Sequence, residues 1–238
     1  MKNILLVDKP IGWTSFDVVA KIRGAIKASY IKNGTKPTKR QLKVGHAGTL
    51  DPFASGLLII LLGEACKQAG DYLKLDKTYE FTAELGKKSS TGDTEGEIKA
   101  ISEMVPTALQ IETASNSFNG VITQIPPAYS AIKVGGQRAY KLAREGKEVT
   151  IPSREVTVHE LKLLSYRYPE LSMVCSVSSG TYIRTLAEDI GKMLAVGAYC
   201  KSLRRTKIGD YGIDTAQSVE SVVAYMRSGG GDAEKRAA

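Results

Sequence analysis

Six straight aliphatic residues, Leu57 to Leu62, run into Gly63. A continuous apolar run of this length, bounded by glycine, predicts a fully buried strand. Upstream, residues 3–7 form a short apolar stretch that predicts a first strand, followed by the turn DKPIGWTS with Ser15 as a helix N-cap. Val18, Val19, Ile22 and Ile26 then share one face at helical spacing, which predicts a helix over 16–28. Residues 29–43 are polar, basic and loop-like, and 64–72 reads as a helix. The alternation in 77–86 predicts a strand, and the glycine-rich stretch 87–97 a loop. A helix is expected over 106–120, capped near Thr107, and another over 137–146, ended by Gly146. Strands are expected at 154–168 and 171–178. A helix at 181–195 would place Leu186, Ile190, Met193 and Leu194 on one side. The segment from Ser228 reads as a flexible tail. Strands and helices mix without a repeat and without regular βαβ alternation. That predicts an α+β fold with a mixed, mainly antiparallel central sheet flanked by helices.

Composition narrows the class. The 238 residues are 42% hydrophobic and 24% charged, an ordinary globular balance. No apolar run approaches a membrane span of ~20 residues. The apolar part of MKNILLVDKP is too short for a signal peptide. Cys66, Cys175 and Cys200 are widely spaced and form no CxxC pair, so neither a disulfide framework nor a zinc site is expected. The expectation is a cytoplasmic monomer with reduced thiols. Lys and Arg number 33 against 25 Asp and Glu, a formal net charge of +8. That excess suits a polyanionic partner, and it clusters: Lys27, Lys32, Lys36, Lys39, Arg40 and Lys43 precede the apolar run, and Arg204, Arg205 and Lys207 lie near the end.

The chemistry concentrates just before the buried strand. In His46-Ala47-Gly48-Thr49-Leu50-Asp51-Pro52-Phe53-Ala54-Ser55-Gly56-Leu57-Leu58, one carboxylate sits in a turn bounded by glycine and proline, held by a rigid element. An isolated Asp-Pro most often just starts a turn. This pattern, HxGTLDPxAxGLL, instead resembles the catalytic motif of the bacterial tRNA pseudouridine synthase B family. The resemblance makes Asp51 the nucleophile that isomerises a uridine.

Other stretches carry the same resemblance, in order, from about residue 3 to about 225. DKPxGxTS at Asp8–Ser15 matches the family's N-terminal signature. Tyr79, in Lys77-Thr78-Tyr79, takes the place of a tyrosine that lies against the target base; its ring could stack on a flipped-out uracil and its hydroxyl could move a proton. GTYIRTLAxDxG at 180–191 resembles the motif whose arginine pairs with the catalytic aspartate, which makes Arg184 that arginine and sets Tyr182 beside it. Helical spacing alone offers Arg184 two other partners, Glu188 and solvent. Ser179 replaces a lysine that the family usually has. Residues 124–140 resemble the insertion that grips the T arm of tRNA, with Lys133, Arg138 and Arg144 as backbone contacts. Leu203, in LRRT at 203–206, would line the base pocket, and His46 would help seat the RNA.

The resemblance therefore implies a pseudouridine synthase fold over 1–227, with the insertion at about 124–150 and a tail at 228–238 in place of the family's PUA domain. It implies isomerisation of uridine 55 in the T loop of tRNA, with Asp51, Tyr79 and Arg184 catalytic. His46, Tyr182, Leu203, Lys133 and Arg138 bind substrate. No cofactor, metal, membrane or obligatory protein partner is expected. A non-catalytic RNA binder or tRNA-folding chaperone on the same fold is the alternative. A carboxylate-dependent sugar hydrolase would need a second acid, for which Glu64, Asp93 and Asp189 are available but carry no supporting motif. The basic stretch 29–43 looks longer than the family's usual link.

Overall fold

A computed structural model describes residues 3–130, 132–145 and 150–229; of Lys133, Val134, Arg138, Tyr140, Ala143 and Arg144 only the backbone is described. The tail beyond Gly229 lies outside the described residues. In chain order the elements are β1 (Ile4–Lys9), α1 (Ser15–Lys32), β2 (Val44–His46), β3 (Ser55–Leu62), α2 (Ala69–Lys74), β4 (Lys77–Leu85), β5 (Lys87–Ser89), β6 (Ile98–Ala100), α3 (Ala108–Ser117) and β7 (Gly120–Gln124). There follow β8 (Lys133–Val134), β9 (Gln137–Arg138), α4 (Ala139–Arg144), β10 (Arg154–Arg167), β11 (Glu170–Val177), α5 (Ile183–Met193), β12 (Ala198–Ile208), β13 (Tyr211–Gly212), β14 (Gln217–Ser218) and α6 (Val219–Arg227). The class is α+β, as the mixed pattern predicted. The described residues form two compact units, one of 3–77 with 204–229 and one within 78–203.

In the first unit the strand order is β14-β1-β3-β12, with β2 added to β3 and β13 to β12. β1 and β2 run antiparallel to β3, whereas β12 runs parallel to it through Arg204↔Ser55 and Arg205↔Gly56. The aliphatic run is buried on both faces. Leu58 and Ile60 pack with Val18, Val19 and Ile22 of α1 and Val222 of α6. Leu57, Ile59 and Leu61 pack on the other side with Ala47 and Ile208. That is the period-two alternation of a strand covered on both sides. α1 starts one residue earlier than expected. Thr14, not Ser15, is its N-cap, in a reciprocal capping box with Asp17, and the helix runs on to Lys32.

In the second unit the order is β12-β4-β11-β10-β7, with β10 antiparallel to both neighbours. α3 is capped at Thr107, as predicted, with Gln110 completing the box. α5 is shorter than expected and its stripe is narrower. Leu186 and Ile190 are buried, but Met193 is 54% exposed. The helix expected over 137–146 opens with the two-residue strand β9, and residue 146 lies outside the described residues. Among the described residues, no helix is long and apolar enough to cross a membrane.

Candidate active site

Asp51 sits in the first unit, in the loop between β2 and β3. Ala47, Leu50, Phe53 and Ala54 are buried and anchor the loop, while Asp51 and Pro52 remain half-buried. Three polar groups hold the backbone around it. From α1, the buried Ser15 hydroxyl accepts from Leu50 N–H at 2.8 Å and donates to Leu50 C=O at 3.2 Å. Gly12 N–H donates to Pro52 C=O at 2.7 Å. From β12, the Arg205 guanidinium donates to the carbonyls of Gly48 (3.1 Å), Thr49 (3.4 Å) and Leu57 (2.8 Å). Arg205 is 1% exposed, so these bonds offset the cost of burying its charge.

The flanks are fixed by further cations. Arg204 makes a two-pronged pair with Asp8, at 2.7 and 3.2 Å. Lys9 is fully buried, and its ammonium donates to Pro10 C=O at 2.9 Å and Trp13 C=O at 2.6 Å, shaping the DKPIGWTS turn. Lys77 donates to Leu73 C=O at 2.6 Å at the end of α2; burial, and then the charge of Arg205, pull its pKa down to about 8. His46 ends β2, and its buried Nδ1 has no hydrogen-bond partner among the described residues. Burial, and then Arg205, lower its pKa. A neutral imidazole recognises a ligand by hydrogen bonds rather than by charge.

The other predicted residues lie in the second unit. Tyr79 is buried in β4, and the Leu203 side chain is buried in β12. Tyr182 precedes α5 as its N-cap. Gln124, fully buried at the end of β7, clamps the Tyr182 backbone: its amide oxygen accepts from Tyr182 N–H at 3.0 Å and its amide nitrogen donates to Tyr182 C=O at 3.2 Å. The Arg154 guanidinium lies over the Tyr182 ring, 4.9 Å from its centroid.

Arg184 is 4% exposed. Its Nη1 donates to Asp93 Oδ2 at 3.0 Å and to Thr91 C=O at 2.8 Å, and its Nη2 donates to Tyr129 C=O at 2.8 Å. Asp93 also accepts from Thr91 Oγ1 at 2.5 Å and Glu95 N–H at 3.0 Å. A turn read as a polar loop thus carries a buried carboxylate that helps orient this arginine. Tyr129 also ties the 124–140 segment to Arg184. Lys133 and Arg138 pair across the β8–β9 hairpin, and their side chains lie outside what is described.

Sequence reasoning missed the roles that four residues take here. It offered Asp93 only as a hydrolase's second acid, Ser15 as a helix N-cap, Arg205 as part of a basic cluster, and Gln124 only as the start of the RNA-gripping segment.

Residues 35–183 match the N-terminal domain of the TruB family pseudouridylate synthases, and residues 184–235 match the tRNA pseudouridylate synthase B C-terminal domain. The chain belongs to the TruB family. A relative from Chlorobaculum tepidum named tRNA pseudouridine synthase B is 45% identical over 224 residues, 93% of this chain and 89% of that protein. One of the same name from Parabacteroides distasonis is 42% identical over 226 residues, 94% of this chain and 93% of that protein. Among solved structures, a Cbf5-Nop10-Gar1 complex superposes with a TM-score of 0.68 at 28% identity, over 93% of this chain. The chain spans 54% of the chain it matches there. The TruB match takes in the Asp51 loop, Tyr79, Tyr182 and the Gln124 clamp in its first part, and Arg184, Leu203 and Arg205 in its second.

Proposed function

We propose that this protein isomerises uridine to pseudouridine in the T loop of tRNA, at uridine 55, with Asp51 as nucleophile. The observation that carries the reading is the Asp51 loop, held from two sides by Ser15 and Arg205, in a chain of the TruB family. In this reaction the C1′–N1 bond breaks, the uracil turns, and a C1′–C5 bond forms. The proton on C5 leaves and N1 gains one. There is no net oxidation or reduction and no phosphoryl transfer, so the chain's own side chains suffice. The stacked target base must be flipped out, at a cost of a few kcal/mol. Tyr79 is assigned the stacking face for the extruded base and a part in the proton transfer. Arg184, fixed by Asp93, Thr91 and Tyr129, is assigned the task of keeping the nucleophile ionised. Tyr182 and Leu203 shape the base pocket, His46 seats the RNA by hydrogen bonding, and Lys133 and Arg138 contact its backbone. The protein acts on cytoplasmic tRNA as a monomer.

The test is carbodiimide primer extension on an unmodified tRNA transcript incubated with the wild type or with Asp51→Asn. The wild type is expected to give a stop at the T-loop uridine, and Asp51→Asn to bind tRNA without producing one. Near-wild-type turnover by Asp51→Asn would sink the assignment of the nucleophile. Binding without any stop from the wild type would turn the reading toward an RNA binder.

A further inference from the structure

Between Asp17 and Asp51 the chain carries eight Lys and Arg and no Asp or Glu. Part of this run, residues 33–43, links α1 to β2, and its backbone is firmly held. Thr35 N–H and Oγ1 donate to Tyr30 C=O at 3.0 and 3.1 Å. The Gln41 side chain accepts from Thr38 N–H at 2.8 Å, and Leu42 N–H donates to Thr38 C=O at 3.1 Å. Lys43 C=O accepts from Gly63 N–H at 2.8 Å. Tyr30 and Leu42 pack against the core of the first unit. With Tyr30 and Leu42 turned inward, Lys32, Lys36, Lys39 and Lys43 are exposed. Glu64 faces this segment, and it is shared between Arg40 (3.1 Å) and Lys67 (2.5 Å). The result is an anchored cationic surface rather than a loose charged loop.

We propose that this surface binds the ribose-phosphate backbone of the RNA substrate, away from the target base; the proposal rests on the reading of tRNA as substrate. Its position decides which part of the RNA it meets. Ser55, next to the Asp51 loop, starts β3; Leu62 ends it and pairs with Val44, which follows Lys43. At ~3.3 Å per residue the two ends lie roughly 23 Å apart. Lysines there cannot reach the uridine at Asp51. Flexible ammonium groups suit phosphates, which carry charge but no sequence information. The surface therefore contributes affinity and leaves the chemical step alone.

The test is a full-length triple variant, Lys36→Gln with Lys39→Gln and Lys43→Gln, which leaves the Arg40–Glu64 pair intact. Binding of unmodified tRNA transcript is measured from 50 to 200 mM salt, with single-turnover isomerisation at saturating protein. A control variant, Lys99→Gln with Lys162→Gln and Lys192→Gln, makes the same charge change in the second unit. The expected result is a log Kd against log salt slope reduced by about 2 and affinity weakened at least about fivefold in the first variant only, with an unchanged saturated rate. An unchanged slope would overturn the proposal, and so would an equal loss in both variants, which would assign the effect to net charge. Because binding is read without catalysis, a wild type that binds tRNA and isomerises nothing would strike the proposed reaction and not this surface.

Discussion

Arg205 is a charged residue in a strand, yet it is among the largest side chains that the protein buries completely. Its planar fork reaches Gly48, Thr49 and Leu57 at once, which fixes the backbone on both sides of Asp51. Lysine keeps the charge but has neither the planar fork nor the reach to satisfy three spread acceptors. Arg205→Lys is therefore expected to lower the single-turnover isomerisation rate on the order of ten- to a hundredfold, through misplacement of Asp51, the proposed nucleophile. The tRNA Kd should stay near the wild-type value. A Kd that weakens in step with an unchanged rate would assign Arg205 to RNA binding instead. At this scale the legibility of the sequence was uneven. Asp51 stood out because a carboxylate in a tight turn before a buried strand is costly, and its motif supplies the role proposed for it. The resemblance singles out Arg184, but its carboxylate partner Asp93 lies 91 positions away, and helical spacing could offer only Glu188. In the sequence Arg205 reads as part of a basic cluster suited to a polyanion, because nothing local marks a strand arginine as buried.

Among the elements, β3 determines where the site lies, and its register depends on a glycine. Gly56 has φ +108° and pairs with Arg205 across the parallel β3–β12 contact. A Cβ there would lie 2.3 Å from Arg205 O and 2.7 Å from Arg205 N. These are backbone atoms that cannot rotate away. Gly56→Ala combines left-handed strain with overpacking and should cost at least about 2 kcal/mol of stability in urea titrations. Because the clash displaces Arg205, the isomerisation rate should fall in protein that still folds. A fully stable and active Gly56→Ala would show that β12 can move aside freely. The elements that the sequence announced were those with strong local signals: the aliphatic run, the alternation of β4 and the capped helix α3. β12 was not anticipated, since KSLRRTKI places cations where a buried strand is expected to be apolar. The helix start at Thr14 was missed by one residue because Thr14 and Ser15 are both good caps. Tertiary contact decided between them, as the Ser15 hydroxyl is committed to Leu50.

Across the whole molecule, the excess of positive charge grows as carboxylates take up protons, so acid works against the fold through self-repulsion. The second unit contains a carboxylate that should set part of this response. Glu84 is buried, which alone would raise its pKa, but Lys87, Lys201 and Tyr199 bond to it and bring it down to about 2. Lys87 lies at 2.7 Å, Lys201 at 3.1 Å and the Tyr199 hydroxyl at 2.9 Å. Conversely, burial and then the hydrogen bond to Glu84 push the Tyr199 hydroxyl up to about 12. The unfolded chain binds a proton at Glu84 near its ordinary value of 4.5, whereas the folded protein does not until about pH 2. The stability from this cluster is thus fully present above pH 4.5 and is lost as pH falls from 4.5 toward 2. Glu84→Gln removes the titration while keeping the shape. Its unfolding free energy should be lower than the wild type's at pH 7, and should decline less steeply between pH 5 and pH 2, so that the two curves converge in acid. Urea titrations across that range check it. Parallel curves would mean that the lysines gain as much from solvent as from Glu84, and that acid sensitivity arises elsewhere in the chain.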